Sequence, residues 1–295
     1  MADTKAILNR IKSVKDTRKI TNAMYLISST KLRKARKSLE ETRPFFDELR
    51  EEIGRIVRNI PVENSRYFMS GDQAELSGKC GILVITADKG LAGAYNQNVI
   101  RKTLELTKQY PDCQLFVTGE YGRHYFRSHG VETDEDFHFP DVEPTMLIAR
   151  RIAGHIMDKY DAGMLSQVLI VYTEFKNALS SEAIVTRLVP FEKSHFEDSD
   201  LPENDSFFEE YEYVPSSREV MERCIPVYCI GMIYSVLVYA FCCEQNDRMM
   251  AMDNADQNAD RLLKELTVKY NRMRQNSITQ EITEISASVK AADRK

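Results

Sequence analysis

Ile11-Lys12-Ser13-Val14-Lys15-Asp16-Thr17-Arg18-Lys19-Ile20-Thr21-Asn22-Ala23-Met24-Tyr25-Leu26-Ile27-Ser28 contains neither glycine nor proline, and it lies in a longer run free of both from Met1 to Arg43. Nothing in such a stretch removes a backbone donor or favours a left-handed residue, so it can continue as one helix. Counting outward, Ile7, Ile11, Val14, Arg18, Thr21, Tyr25, Ser28, Leu32, Ala35, Leu39, Thr42, Phe46, Leu49, Ile53 and Ile56 step by alternating threes and fours. That is a heptad seam, apolar at both ends and polar in the middle. It keeps its phase past Pro44, which therefore reads as a kink inside a helix over residues 1–60.

The other end of the chain is built the same way. Met232 to Lys295 again lacks glycine and proline, and Met252, Ala255, Ala259, Leu262, Leu266 and Met273 hold heptad spacing. A second run, Ile278, Ile282, Ile285 and Val289, is out of phase and predicts a stutter that changes the supercoil locally. At about 1.5 Å per residue, a helix over 1–60 extends for roughly 85 Å and one over 216–289 for over roughly 100 Å, and helices of that length need a partner. With a whole domain between them, the economical pairing is an antiparallel coiled coil, its small Ala255 and Ala259 allowing close approach.

Residues 78–192 alternate short apolar runs with helical periods. Strands are predicted at Ile82–Ile85, Gln114–Thr118, Val168–Tyr172 and Ala183–Val189, with helices at Asn96–Tyr110, Tyr121–Ser128 and Met146–Tyr160. The order predicts an α/β fold: a Rossmann-like open sheet, mostly parallel with an antiparallel last strand. An acidic loop over 193–215 follows, the stretch Glu192 to Glu212 holding nine acids against Lys193.

Composition and motifs exclude more than they assign. The longest apolar stretch, Ile225 to Cys243, is bracketed by Glu222–Arg223 and Glu244 and reads as a buried helical segment, not a membrane span. No secretory or transit signal precedes the first heptad, so a cytoplasmic protein is expected. Eleven Lys or Arg between Lys5 and Lys37 face one acid, Asp16, but the net charge of −5 and the lack of interleaved aromatics argue against nucleic acid. Cys80 and Cys113 fall at the leading edges of predicted strands and Cys242 and Cys243 are adjacent; Cys224 and Cys229 lie about 140° apart on a helix, so neither a disulfide nor a metal site is favoured. The turn Asp88-Lys89-Gly90-Leu91-Ala92-Gly93-Ala94-Tyr95-Asn96 follows a strand and precedes a helix, but its only lysine comes before both glycines and no Ser or Thr follows them. It fits neither a phosphate loop nor a dinucleotide fingerprint, so a structural turn is expected. The five histidines form no metal-ligand motif, and no catalytic residue, metal ligand or cofactor site is assigned.

Several blocks resemble the gamma subunit of F-type ATP synthases, the central rotor shaft, over essentially the whole chain. They are Ile11–Val14 with Thr17–Met24, Thr86–Asn96, Arg248–Ala255, and Tyr270–Glu281. The resemblance implies a non-catalytic rotor subunit that couples ion flow through the membrane sector to ATP synthesis or hydrolysis. Its implied partners are three alpha and three beta subunits, the epsilon subunit and the membrane ring of c subunits, on the cytoplasmic face of a bacterial membrane. It places Lys19, Met24 and Arg248 near a lower loop of beta, Arg274, Gln275 and Thr279 near an upper loop, and Tyr211 and Tyr213 near epsilon and the ring. It also implies that the polar middle of the seam faces outward as well as inward. One departure is Glu244-Gln245-Asn246-Asp247, where the family has Glu-His-Ala-Ala; the two-cysteine insert of chloroplast members is missing, so thiol control is not expected. The alternative is a stand-alone coiled-coil protein, nucleotide-binding or structural.

Overall fold

The computed structural model describes residues 2–59, 65–69, 78–139, 143–177, 180–196 and 213–292. In chain order the elements are α1 (Ala2–Asn59), β1 (Lys79–Ile85), α2 (Tyr95–Gln109), β2 (Cys113–Thr118), α3 (Glu120–Ser128), α4 (Met146–Asp161), β3 (Leu165–Asn177), β4 (Ser180–Val189) and α5 (Ser217–Ala292), with a 3₁₀ turn at Lys193–Phe196 before α5. Helix α1 contains Pro44 and α5 contains Pro226, so proline interrupts neither assignment. The chain forms two compact units, residues 30–247 and the two terminal stretches 1–29 and 248–295.

In the larger unit the sheet order is β2-β1-β3-β4, with β1 parallel to both β2 and β3 and β4 antiparallel to β3. Successive strand residues point to opposite faces, and the two faces carry different helices. Ile82, Val84, Leu115, Val117 and Val171 pack with Val99, Ile100 and Leu106 of α2 and Phe126 of α3. Leu83, Ile85, Phe116, Val168 and Ile170 face the other way, onto Ile152 and Ile156 of α4 and onto the parts of α1 and α5 in this unit, from Ile53 and Ile56 to Ile225 and Ile233. The apolar stretch Ile225–Cys243 is long and apolar enough to cross a membrane by composition, yet Ile225, Cys229, Ile233, Val238 and Phe241 are buried in this core.

Here α1 and α5 run antiparallel. Lys31 lies over the Phe241 ring and Phe46 sits against Gly231, so rising numbers on one helix meet falling numbers on the other. A Cβ at Gly231 would run into the Phe46 ring, so this glycine lets the helices close around an aromatic side chain.

The smaller unit is a helix pair. Arg18 reaches Asp256 at 3.1 Å and Asp260 at 2.7 Å, and Thr21, Ser28, Met252 and Leu266 are buried. Ile7, Ile11, Val14, Ala255, Ala259, Leu262 and Met273 are half-buried, so the heptad positions form the seam. The polar middle divides between the two sides of the helix. Thr21 and Ser28 point inward, the Thr21 hydroxyl donating to its own helix at the Arg18 carbonyl (2.9 Å), while Arg18 turns outward to its two carboxylates. The stutter is corrected: half-burial continues through Tyr270, Met273 and Ser277, whereas Ile278, Ile282 and Ile285 are exposed. The register of Arg18 on Asp256 and Asp260 brings Ala2 level with about Arg274, and Ile278, Ile282 and Ile285 lie past that level.

Candidate partner-binding surface

Five of the exposed apolar side chains of the helix pair fall into two stripes, while Leu8, Leu26, Met250 and Val268 lie apart from them. On α1, Ile20 is 61% exposed and Ile27 57%, one heptad apart and therefore on one face. Half-buried Met24 lies between them and the exposed Lys19 beside them. On α5, Ile278, Ile282 and Ile285 form a second stripe at helical spacing, 43%, 58% and 66% exposed. A stripe of this kind on a helix without a partner presents a surface for another chain.

The residues singled out in the sequence fall into different settings. Among the described residues Lys19 forms an ion pair with Asp16 on its own helix, at 3.1 Å and well exposed, so its charge remains open to solvent. Met24 shares the α1 stripe. Arg274, Gln275 and Thr279 are exposed beside the α5 stripe, and the Thr279 hydroxyl donates to the Gln275 carbonyl at 2.9 Å. Arg248 differs from these, being only 8% exposed and largely shielded by its own chain. Tyr213 is half-buried and its hydroxyl donates to Glu52 at 2.9 Å, which ties the start of α5 to the end of α1. Tyr211 lies outside the described residues, as does the acidic loop from residue 197 to 212. The structure thus groups Lys19 with Met24, and Arg274 with Gln275 and Thr279. Ile20 and Ile27 were missed, although their position off the heptad seam marked them as apolar residues with no intramolecular partner.

The departure Glu244-Gln245-Asn246-Asp247 is an inward-facing polar step on α5. Glu244 and Gln245 are buried, the Gln245 amide donating to Glu244 at 3.0 Å, and the Ser181 hydroxyl donates to Asp247 at 2.8 Å. Burial raises the Asp247 pKa above its ordinary value, against the hydrogen bond from Ser181.

The turn between β1 and α2 is closed by its own side chains. Asn96 accepts from the Ala87 amide at 2.9 Å and donates to the Lys89 carbonyl at 3.3 Å, and Asp88 accepts from the Glu120 amide at 3.0 Å. The Tyr95 amide, first of α2, donates to Ala92, and Leu91 and Gly93 take positive φ of 65° and 57°. The Ala87 and Tyr95 amides are thereby engaged within the turn itself. Among the described residues no group of three or more His, Cys, Asp or Glu side chains is placed to hold a metal ion.

Comparison with known proteins agrees with this arrangement. The ATP synthase family profile matches residues 3–292. The ATP synthase gamma chain of Caldanaerobacter subterraneus subsp. tengcongensis is 41% identical over 283 residues, covering 94% of this chain and 95% of the relative. That of Acetivibrio thermocellus is 38% identical over 296 residues, 99% of each. Among solved structures, a chain of the Euglena gracilis mitochondrial ATP synthase OSCP/F1/c-ring assembly superposes with a TM-score of 0.62 at 16% identity, covering 98% of this chain and 94% of that one. A chain of the Tetrahymena thermophila mitochondrial ATP synthase central stalk and c-ring gives 0.59 at 20% identity, covering 80% and 99%.

Proposed function

This chain belongs to the ATP synthase gamma-chain family, and we propose that as central-stalk rotor subunit it couples ion flow through the membrane sector to ATP synthesis and hydrolysis on a ring of alpha and beta subunits. The chemistry itself belongs to those partners, and this chain is non-catalytic. The carrying observation is an antiparallel helix pair with exposed apolar stripes, in a chain that matches gamma chains over nearly its full length. Residues 1–60 and 216–289 supply the shaft, and residues 78–192 the base beside epsilon and the ring of c subunits, at the cytoplasmic face of the membrane.

A shaft transmits torque only if its contacts with the ring differ from angle to angle, because a ligand that binds all states equally shifts none of them. The α1 stripe with Lys19 and Met24 suits a loop of beta that must engage and release. The α5 stripe, with Arg274, Gln275 and Thr279, suits an apolar collar with a polar rim. Arg248 acts from its buried position by fixing the helix beneath the contact, and Tyr211 and Tyr213 face epsilon and the ring. The test is reconstitution. Full-length chain added to purified alpha and beta subunits should restore ATP hydrolysis and show rotation of a bead fixed to its base. Saturable ATP binding by the purified chain alone, with no gain in hydrolysis on mixing, would reject the assignment.

A further inference from the structure

Cys80 and Cys113 are thirty-three residues apart in sequence, yet in the sheet they are direct partners: the parallel pairing of β1 and β2 sets Cys80 opposite Cys113, followed by Gly81 opposite Gln114 and Ile82 opposite Leu115. Paired residues on neighbouring strands point to the same face, and both thiols lie on the face packed by α2, Cys80 buried and Cys113 half-buried at the edge of that cluster. Neighbouring strands are about 4.8 Å apart, within the Cα separation of roughly 4.4–6.8 Å that a disulfide requires. The next register step on the other side of β1 is irregular, a bulge at Lys79/Cys80 against β3, which gives the backbone at Cys80 freedom to adjust. The other four thiols have no such placement: all lie on the single helix α5, where Cys229, Cys242 and Cys243 are buried.

We propose that Cys80 and Cys113 form a redox-modification site, a thiol pair converted to an intramolecular disulfide by small-molecule disulfides. Cys113 is the entry point because it is the less buried of the two, half-buried at the edge of the cluster beside the exposed Lys79–Asp112 ion pair (2.8 Å). Its thiolate attacks one sulfur of a disulfide RSSR, forming a mixed disulfide and releasing one RS⁻. The Cys80 thiolate then attacks the Cys113 sulfur and expels the second RS⁻. The protein loses two protons and two electrons, and RSSR becomes two RSH. Burial raises both thiol pKa values, that of Cys80 to about 12 with Cys113 adding to the effect, so the reaction is slow at neutral pH and faster in alkali. The product ties edge strand β2 to β1 across the segment that carries α2 and its turn.

The experiment exposes the assembled complex to oxidised glutathione, alkylates the remaining thiols and maps peptides by mass spectrometry. The expected result is a peptide pair joined at Cys80 and Cys113, lighter by two hydrogens, returned to free thiols by dithiothreitol and forming faster as pH rises. Cys113→Ser should abolish the cross-link, and Cys80→Ser should stop at the mixed disulfide on Cys113. Full alkylation of both cysteines after exposure, or a cross-link between other cysteines with this pair untouched, would overturn the proposal.

Discussion

Asp134 offers the sharpest quantitative test of what holds the α/β unit together. Its carboxylate is only 3% exposed and meets Lys159 at 2.9 Å, His155 at 3.5 Å and the Gln114 amide at 2.7 Å, while the Asp136 and Phe137 amides donate to its other oxygen. The segment after α3 is thereby pinned to β2 and α4. Asp134→Asn keeps the oxygen that caps the two backbone amides but puts an NH₂ group where three donors converge. Losing the charge-assisted bond to Lys159 costs about 1.5–3 kcal/mol, and losing the Gln114 bond about 1 more, for a total of roughly 2.5–4 kcal/mol. Opening of β2 and α4 should therefore rise by about 10² to 10³-fold, since each 1.4 kcal/mol is a factor of ten. Amide hydrogen exchange on the full chain at pH 7 reads this directly. A second signature is in pH. Burial pushes the Asp134 carboxyl up, but Lys159 and His155 outweigh it and hold it below the ordinary range. A carboxyl depressed in the folded state contributes its full stability above the unfolded value of about 3.9 and loses it as pH falls through the folded value. The natural protein should thus lose protection in β2 and α4 below about pH 4, and the Asn variant should lack that component. A change in exchange of less than tenfold at pH 7, with an unaltered pH profile, would refute the anchoring role.

Three further outcomes are expected. Leu266→Asp puts a carboxylate into the buried seam of the helix pair and should lower the midpoint of thermal unfolding of the assembled complex by several degrees, for a cost of about 3–5 kcal/mol; an unchanged midpoint would place Leu266 outside the seam. Gly54→Ala, which in an exposed helix would gain about 1 kcal/mol, should instead destabilise the chain in urea by about 1–3 kcal/mol, because the new methyl meets the Phe196 backbone carbonyl. Met24→Lys adds a cation to the exposed stripe beside Lys19 and should favour one rotor angle over the next by about 1.4 kcal/mol, a tenfold population change that lowers ion pumping per ATP hydrolysed at equal assembly; an unchanged ratio would mean that Met24 bears no torque.

Helix pairing and strand order were legible in the sequence because periodicity is a local property. Every three-four step from Ile7 to Ile56 except Arg18 lands on a buried or half-buried side chain, and the four apolar runs of the middle segment are the four strands. The gamma-family motifs pointed to the function for the same reason, being contiguous blocks of residues. Register between distant segments is not local. The opposition of Cys80 and Cys113, the convergence of Lys159, His155 and Gln114 on Asp134, and the Arg18 contact with Asp256 and Asp260 each depend on how strands and helices slide past one another, which packing of the whole core decides. The same holds for Ile278, Ile282 and Ile285. Their spacing announced an apolar helix face, but whether that face met α1 depended on the register of the two helices, which sets it past the level of Ala2.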